Sequence, residues 1–112
     1  MDLTIALAHV EGDLQLLAEL ASLFLQDYPR FLSSARESIE RGDSSTLERE
    51  AHTLKGRLAF FGIPAIREKA LDLEVMGRTG DLTGASKKLA EIENEMEGIL
   101  PQFESLAREQ KL

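Results

Sequence analysis

The sequence predicts an all-α protein: an antiparallel, up-down-up-down four-helix bundle with a short extra N-terminal helix. Three observations carry that expectation. Apolar residues recur at steps of three and four through long stretches, the spacing of helices that each bury one stripe. Glycine and proline punctuate those stretches and leave only short connections. Nothing alternates with the period of a strand, and no hairpin-type turn pair separates two such runs. Long helices with short loops and near-heptad seams pack as antiparallel neighbours.

Asp2 is placed to cap a short helix from Leu3 to about His9, ahead of a break at Gly12. From Asp13 the stripe runs Leu14, Leu17, Ala21, Phe24 and Tyr28. Pro29 either kinks this helix or opens a new one. Leu32, Ala35 and Ile39 continue the stripe to Gly42, a C-terminal cap. The next helix starts near Asp43 to Ser45 and buries Leu47, Ala51, Leu54, Leu58 and Phe61, until Gly62 and Pro64 end it. A third long helix turns Ile66, Ala70, Leu73 and Met76 inward and stops at Gly80. Asp81 or Thr83 is expected to cap the last helix, whose stripe is Ala85, Leu89, Ile92, Met96, Ile99, Phe103 and Leu106, with a bend near Pro101.

The chain has 112 residues, the size of one domain, so residues 1–112 are read as a single unit. With 43% hydrophobic and 29% charged residues it can bury a core and stay in water. No apolar run approaches the roughly 18 to 20 residues of a membrane span. The start, MDLTIALAHVEGD, lacks the basic region and cleavage site of a signal peptide, so a cytoplasmic location is expected. The absence of cysteine excludes disulfides and thiolate metal sites. A net charge of -7 opposes nonspecific nucleic-acid binding.

The stretch REAHTLKGRLAFFG, residues 49–62, raises a question of its own. It reads as a helix, yet places a glycine in the helix interior, at a cost of about 1 kcal/mol relative to alanine. Successive helix residues turn by about 100°. With the core stripe at zero, His52 falls at about 140°, on the outer half. Lys55 and Gly56, three and four residues on, lie beside it, and Ser45, Glu48 and Ala59 complete that face.

An exposed neutral imidazole has a ring nitrogen with a free lone pair and can act as a nucleophile. A lysine one turn away can attract a phosphoryl group held there. Glycine at the fourth position removes a side chain that would obstruct an approaching partner. Singly, each residue has an ordinary reading as a surface histidine, a common lysine spacing or a helix contact. Together on the open face of a bundle they point to chemistry.

The segments AHTLKG, FFG and ALDLEVMGRTGDL closely resemble the histidine phosphotransfer (HPt) domain family. The matching positions are His52, Leu54, Lys55, Gly56, Gly62, Leu73, Glu74, Gly80 and Asp81. The upstream EGDLQLLAELASLFLQDYPRFLSSARESIERGD is similar to the family's first long helix pair, so the resemblance covers nearly the whole chain. It implies that His52 is the phosphoacceptor, carrying phosphate on Nε2, that Lys55 stabilises the phosphoryl group and that Gly56 gives clearance. Glu74 matches a position, 22 residues after the histidine, that holds Glu or Gln in several members and contacts the histidine region. From the residues alone, Glu74 either reaches a neighbouring helix or is an ordinary surface glutamate. The chain departs from the family where RLAFFG is bulkier than usual. Phe60, well off the core stripe, is expected to be an exposed apolar contact for a partner, with Phe61 buried.

Rival sites are weak. His9 has no matching lysine or glycine and is expected to be inert. Two histidines without ligand spacing do not make a zinc site, and no Glu-x-x-His pair supports a di-iron centre. No glycine-rich phosphate loop exists, so the chain has no ATP site and takes its phosphate from another protein.

The implied function is that of a phosphorelay intermediate: His52 accepts a phosphoryl group from a receiver-domain aspartate and passes it to another. The chain would act within a hybrid sensor histidine kinase or as a stand-alone phosphotransfer protein. Its start on the first helix and the lack of a linker lean towards an excised domain. A phosphoaccepting domain of a chemotaxis-type kinase and a non-catalytic helical adaptor that binds receivers remain alternatives. The expected partners are response-regulator receivers, bound transiently by a monomer through Ser45, Glu48, Arg49, Ala59 and Phe60. No cofactor is expected, magnesium belonging to the receiver, and no nucleic acid or membrane is expected to be bound.

Overall fold

The computed structural model describes residues 1–109. Five helices follow one another: α1 (Leu3–His9), α2 (Leu14–Arg41), α3 (Ser44–Phe60), α4 (Pro64–Thr79) and α5 (Ala85–Ala107). No strand occurs among the described residues. Helices α2 to α5 form the four-helix bundle, each packing on its neighbours in the chain, and α5 closes the ring against α2. Short connections make successive helices antiparallel. Helix α1 lies against α2 and α3.

The helix starts obey local chemistry. Carboxylates of Asp2, Asp13 and Asp43 accept backbone N–H bonds from Thr4 and Ile5, Leu16, and Thr46 respectively, satisfying amides that a helix cannot pair internally. Helix α4 begins with Pro64 in its first turn, where a missing N–H costs nothing. Gly42 and Gly80 end α2 and α4 in the left-handed region, at φ 68° and 79°. The start of α5 departs from expectation. Neither Asp81 nor Thr83 caps it: Asp81 Oδ1 accepts the Thr83 amide in a tight turn, and Gly84 occupies the cap position without a side-chain bond.

Pro29 does not open a new helix; α2 is one element of 28 residues that contains it. A proline in a helix interior costs about 3 kcal/mol, but buried Phe24, Tyr28, Phe31 and Ala35 on both sides of it hold α2 to the core, and tertiary burial outweighs local preference. The α5 helix likewise runs through Pro101. The core stripe of α2 is Leu17, Ala21, Phe24, Tyr28, Phe31, Ala35 and Ser38. Phe31 and Ser38 thus replace the expected Leu32 and Ile39, which are half-buried. Leu14, expected inside, is 44% exposed because it opens the helix before the core begins. Met76 and Ile99 are half-buried rather than central. The α3 stripe of Leu47, Ala51, Leu54, Leu58 and Phe61 is buried throughout, as expected.

Three aromatic rings lock α2, the end of α3 and α5 together. Phe24 stacks on Phe103 with centroids 4.2 Å apart, and Phe61 meets Phe103 edge-on at 4.8 Å. The first residues of the chain tie onto this end. The Asp2 amide donates to the Phe61 carbonyl at 3.0 Å, and a Cβ on Gly62 would lie 2.6 Å from the Asp2 Cβ. Gly62, also at φ 68°, is therefore required both by its backbone and by that contact.

Candidate functional site

Because Leu47, Ala51, Leu54 and Leu58 face the core, α3 turns His52 outward, and its side chain is 67% exposed. Underneath it, from α4, comes Glu74, only 3% exposed. Glu74 Oε2 lies 2.7 Å from His52 Nδ1. Its other oxygen, Oε1, lies 2.6 Å from Lys55 Nζ. Arg78, one turn along α4, donates from Nη2 to the same Oε2 at 3.3 Å and from Nε to Glu48 Oε2 at 3.1 Å.

A buried carboxylate would ordinarily be driven towards its neutral form. Here the Glu74 carboxyl is held below the usual carboxylate range, chiefly by hydrogen bonding to Lys55, with burial opposing and the His52 contact adding to the stabilisation. An ionised carboxylate can only accept hydrogen bonds. The His52 Nδ1 must therefore carry the proton and donate it to Glu74. In the neutral ring that leaves the lone pair on Nε2, the nitrogen turned away from Glu74. Of the two readings of Glu74, the ordinary surface residue is excluded by its burial and its contact with His52.

Space in front of the ring is open. A Cβ built on Gly56 meets nothing within 4 Å, so no packing explains this glycine. Beside His52, between α2 and α3, runs a groove of about 450 Å³ lined by Leu20, Leu23, Thr53, Gly56 and Phe60, with Phe24 and Phe61 at its floor. Leu23 is 52% exposed there. The groove's charged rim is neutralised by Arg57, which donates to Asp27 at 2.8 Å.

Of the sequence-based site residues, the structure brings His52, Lys55, Glu74 and Gly56 together. Lys55 differs from expectation in one respect: it is not an open cation but is 21% exposed and paired with Glu74. Glu48, expected on the outer face, is half-buried and paired across to Arg78 on α4. Arg49 is exposed and donates to Thr46 Oγ1 at 3.4 Å. Ser45 and Ala59 are exposed, Ser45 about 10 Å along the helix axis from His52.

Phe60 is corrected from exposed to half-buried. His9 explains the change and is not idle: its ring stacks on Phe60 with centroids 4.8 Å apart, and its Nδ1 donates to the Phe60 carbonyl at 3.0 Å. That bond satisfies one of the carbonyls left unpaired at the end of α3.

Arg78, Leu20 and Leu23 were not singled out from the sequence. Arg78 had a readable signal, an opposite charge four residues after Glu74. The leucines had none, since their value depends on which helix lies beside them.

A family model described as the Hpt domain matches residues 19–101. Among solved structures the chain is similar to the crystal structure of histidine-containing phosphotransfer protein B (HptB) from Pseudomonas aeruginosa PAO1. The likeness has 22% sequence identity and a TM-score of 0.88, and covers 99% of this chain and 96% of that chain. At that identity it shows a shared fold. No curated protein matches the chain.

Proposed function

The chain belongs to the Hpt domain family, a histidine phosphotransfer intermediate of a phosphorelay, and from that premise we propose that its phosphoacceptor is Nε2 of His52. The observation that carries this reading is the buried Glu74 carboxylate 2.7 Å from Nδ1, which leaves Nε2 exposed with its lone pair.

The phosphoryl donor is the aspartyl phosphate of a response-regulator receiver. The Nε2 lone pair attacks phosphorus in line, the N–P bond forms, and the P–O bond to the aspartate breaks and leaves a carboxylate. The Nδ1 proton stays on the ring throughout, held by Glu74, so the positive charge that develops on the imidazole meets a fixed negative partner. Transfer to a second receiver reverses these events. Lys55, close to both Glu74 and the ring, screens the charge of the phosphoryl group, and Gly56 leaves room for the receiver to reach His52.

We read residues 1–112 as one phosphotransfer domain, acting as a monomer in the cytoplasm. No described helix is long and apolar enough to cross a membrane. The receiver docks over the outer face of α3 and the adjoining groove, with Leu20, Leu23 and Phe60 as apolar contacts and Ser45, Arg49 and Ala59 at the margin. A transient complex of this kind buries less than about 1,200 Å² in total. Any magnesium required belongs to the receiver. The net charge of -7 disfavours nonspecific binding of nucleic acid.

The test is incubation with a phosphorylated receiver. Acid-labile, base-stable phosphate on the wild-type chain supports the reading, and a chain that binds receivers yet never carries phosphate would be an adaptor.

A further inference from the structure

Arg78 is used by nothing described so far, yet its guanidinium ends on the one carboxylate oxygen that holds His52. Glu74 Oε2 accepts from His52 Nδ1 at 2.7 Å and from Arg78 Nη2 at 3.3 Å. Arg78 is in turn shared: its Nε donates to Glu48 Oε2 at 3.1 Å. Four residues on two helices thus form a chain, Glu48 to Arg78 to Glu74 to His52, in which each charge weakens or strengthens the next.

We propose that Arg78 is a positioning residue that acts through Glu74: by sharing Oε2 it sets how firmly the carboxylate holds the Nδ1 proton of His52, and Glu48 sets how far Arg78 is drawn away. The effect on the ring follows from the geometry alone. The effect on phosphoryl transfer rests on the function proposed above.

The chemistry is specific. When the N–P bond to Nε2 breaks, Nε2 recovers the bonding pair. If Nδ1 keeps its proton, the departing group is neutral imidazole. If Nδ1 has lost it, the departing group is an imidazolate, a far poorer leaving group. A carboxylate that holds the proton firmly therefore favours onward transfer. One whose charge is partly satisfied by a guanidinium holds it less firmly.

The other charges facing the ring are accounted for. On α3, Lys55 occupies the opposite oxygen of Glu74, Arg49, one turn before His52, donates to Thr46 Oγ1, and Arg57 is tied to Asp27 of α2. The cations between α4 and α5, Lys69 and Lys88, are paired with Glu95 and Asp72. Arg78 is the one cation that meets Oε2 itself among the described residues.

The experiment compares the wild type with Arg78→Gln, Glu48→Gln and Arg78→Lys, following the His52 ring resonances against pH by NMR in the unphosphorylated chain, with His9 as internal reference. Removing the Arg78 charge should move the His52 titration curve upward by a few tenths of a pH unit, the scale set by a partly exposed ion pair. Glu48→Gln should move it downward by releasing Arg78 to Glu74, and Arg78→Lys should restore most of the wild-type curve. His9 should not move.

In a second measurement, the pH at which phosphoryl transfer from His52 to a receiver falls off should shift in the same directions. Shifts of the same sign for Arg78→Gln and Glu48→Gln, or none, would overturn the proposal. So would ring shifts without matching shifts in transfer. If the wild type takes no phosphate, the proposed function fails, while the ring titration still decides the role of Arg78.

Discussion

Gly77 of α4 and Glu48 of α3 meet at their backbones: a Cβ on Gly77 would lie 2.5 Å from the Glu48 amide nitrogen. Only glycine lets the two helices approach so closely, and that approach brings Glu74, three residues before Gly77, beneath the His52 ring. The site geometry therefore depends on a glycine that has no side chain of its own to contribute.

The two helix-interior glycines near the site should consequently behave in opposite ways. Gly77→Ala must push α3 from α4 and should destabilise the fold by about 1 to 3 kcal/mol, the usual range for overpacking. Gly56→Ala meets open space and should stabilise α3 by up to about 1 kcal/mol, while slowing transfer by crowding the receiver. Urea denaturation and a transfer assay on both variants check this. Normal transfer by Gly56→Ala would end the clearance argument.

His52→Gln should abolish phosphate acceptance and leave the melting transition within about 1 kcal/mol of wild type, because the side chain is largely exposed and glutamine can still donate to Glu74. Persistent acid-labile phosphate in this variant would remove His52 as the acceptor.

Stability should fall on acidification in a way traceable to Glu74. Its carboxyl is held below the ordinary value when folded, so the unfolded chain binds its proton first as pH falls. The stabilisation is complete above the ordinary carboxylate value and is lost as pH drops through the lower folded value. Wild type should therefore lose more stability than Glu74→Gln between about pH 5 and pH 3. Parallel denaturation curves for the two proteins across that range would show that Glu74 contributes no such term.

Leu23→Asp should weaken receiver binding without disturbing the fold, since Leu23 is 52% exposed at the groove and a surface change typically costs within about 0.5 kcal/mol. Phe60→Asp should reduce both binding and stability, because it also breaks the stack with His9. Calorimetric titration with a receiver, beside thermal melts, separates the two. Unchanged affinity in Leu23→Asp would move docking away from the groove.

What the sequence by itself determined was of short range, although even there the cap of α5 fell on Gly84 and not on Asp81 or Thr83. The capping carboxylates of Asp2, Asp13 and Asp43, the left-handed glycines Gly42 and Gly80, and the outward aim of His52 all follow from local spacing, because helix ends and the 100° turn per residue involve only near neighbours. Tertiary structure alone decided the rest. Pro29 sits inside one continuous helix because the core on either side holds it there. Phe60 is half-buried because α1 folds back and lays His9 on its ring. Glu74 is a buried partner of His52 and Lys55 because α4 packs on α3 at a distance that the contact between Gly77 and Glu48 permits. Each of these depends on residues far apart in the chain, and periodicity specifies which face of a helix is buried but not which side chain waits across the interface.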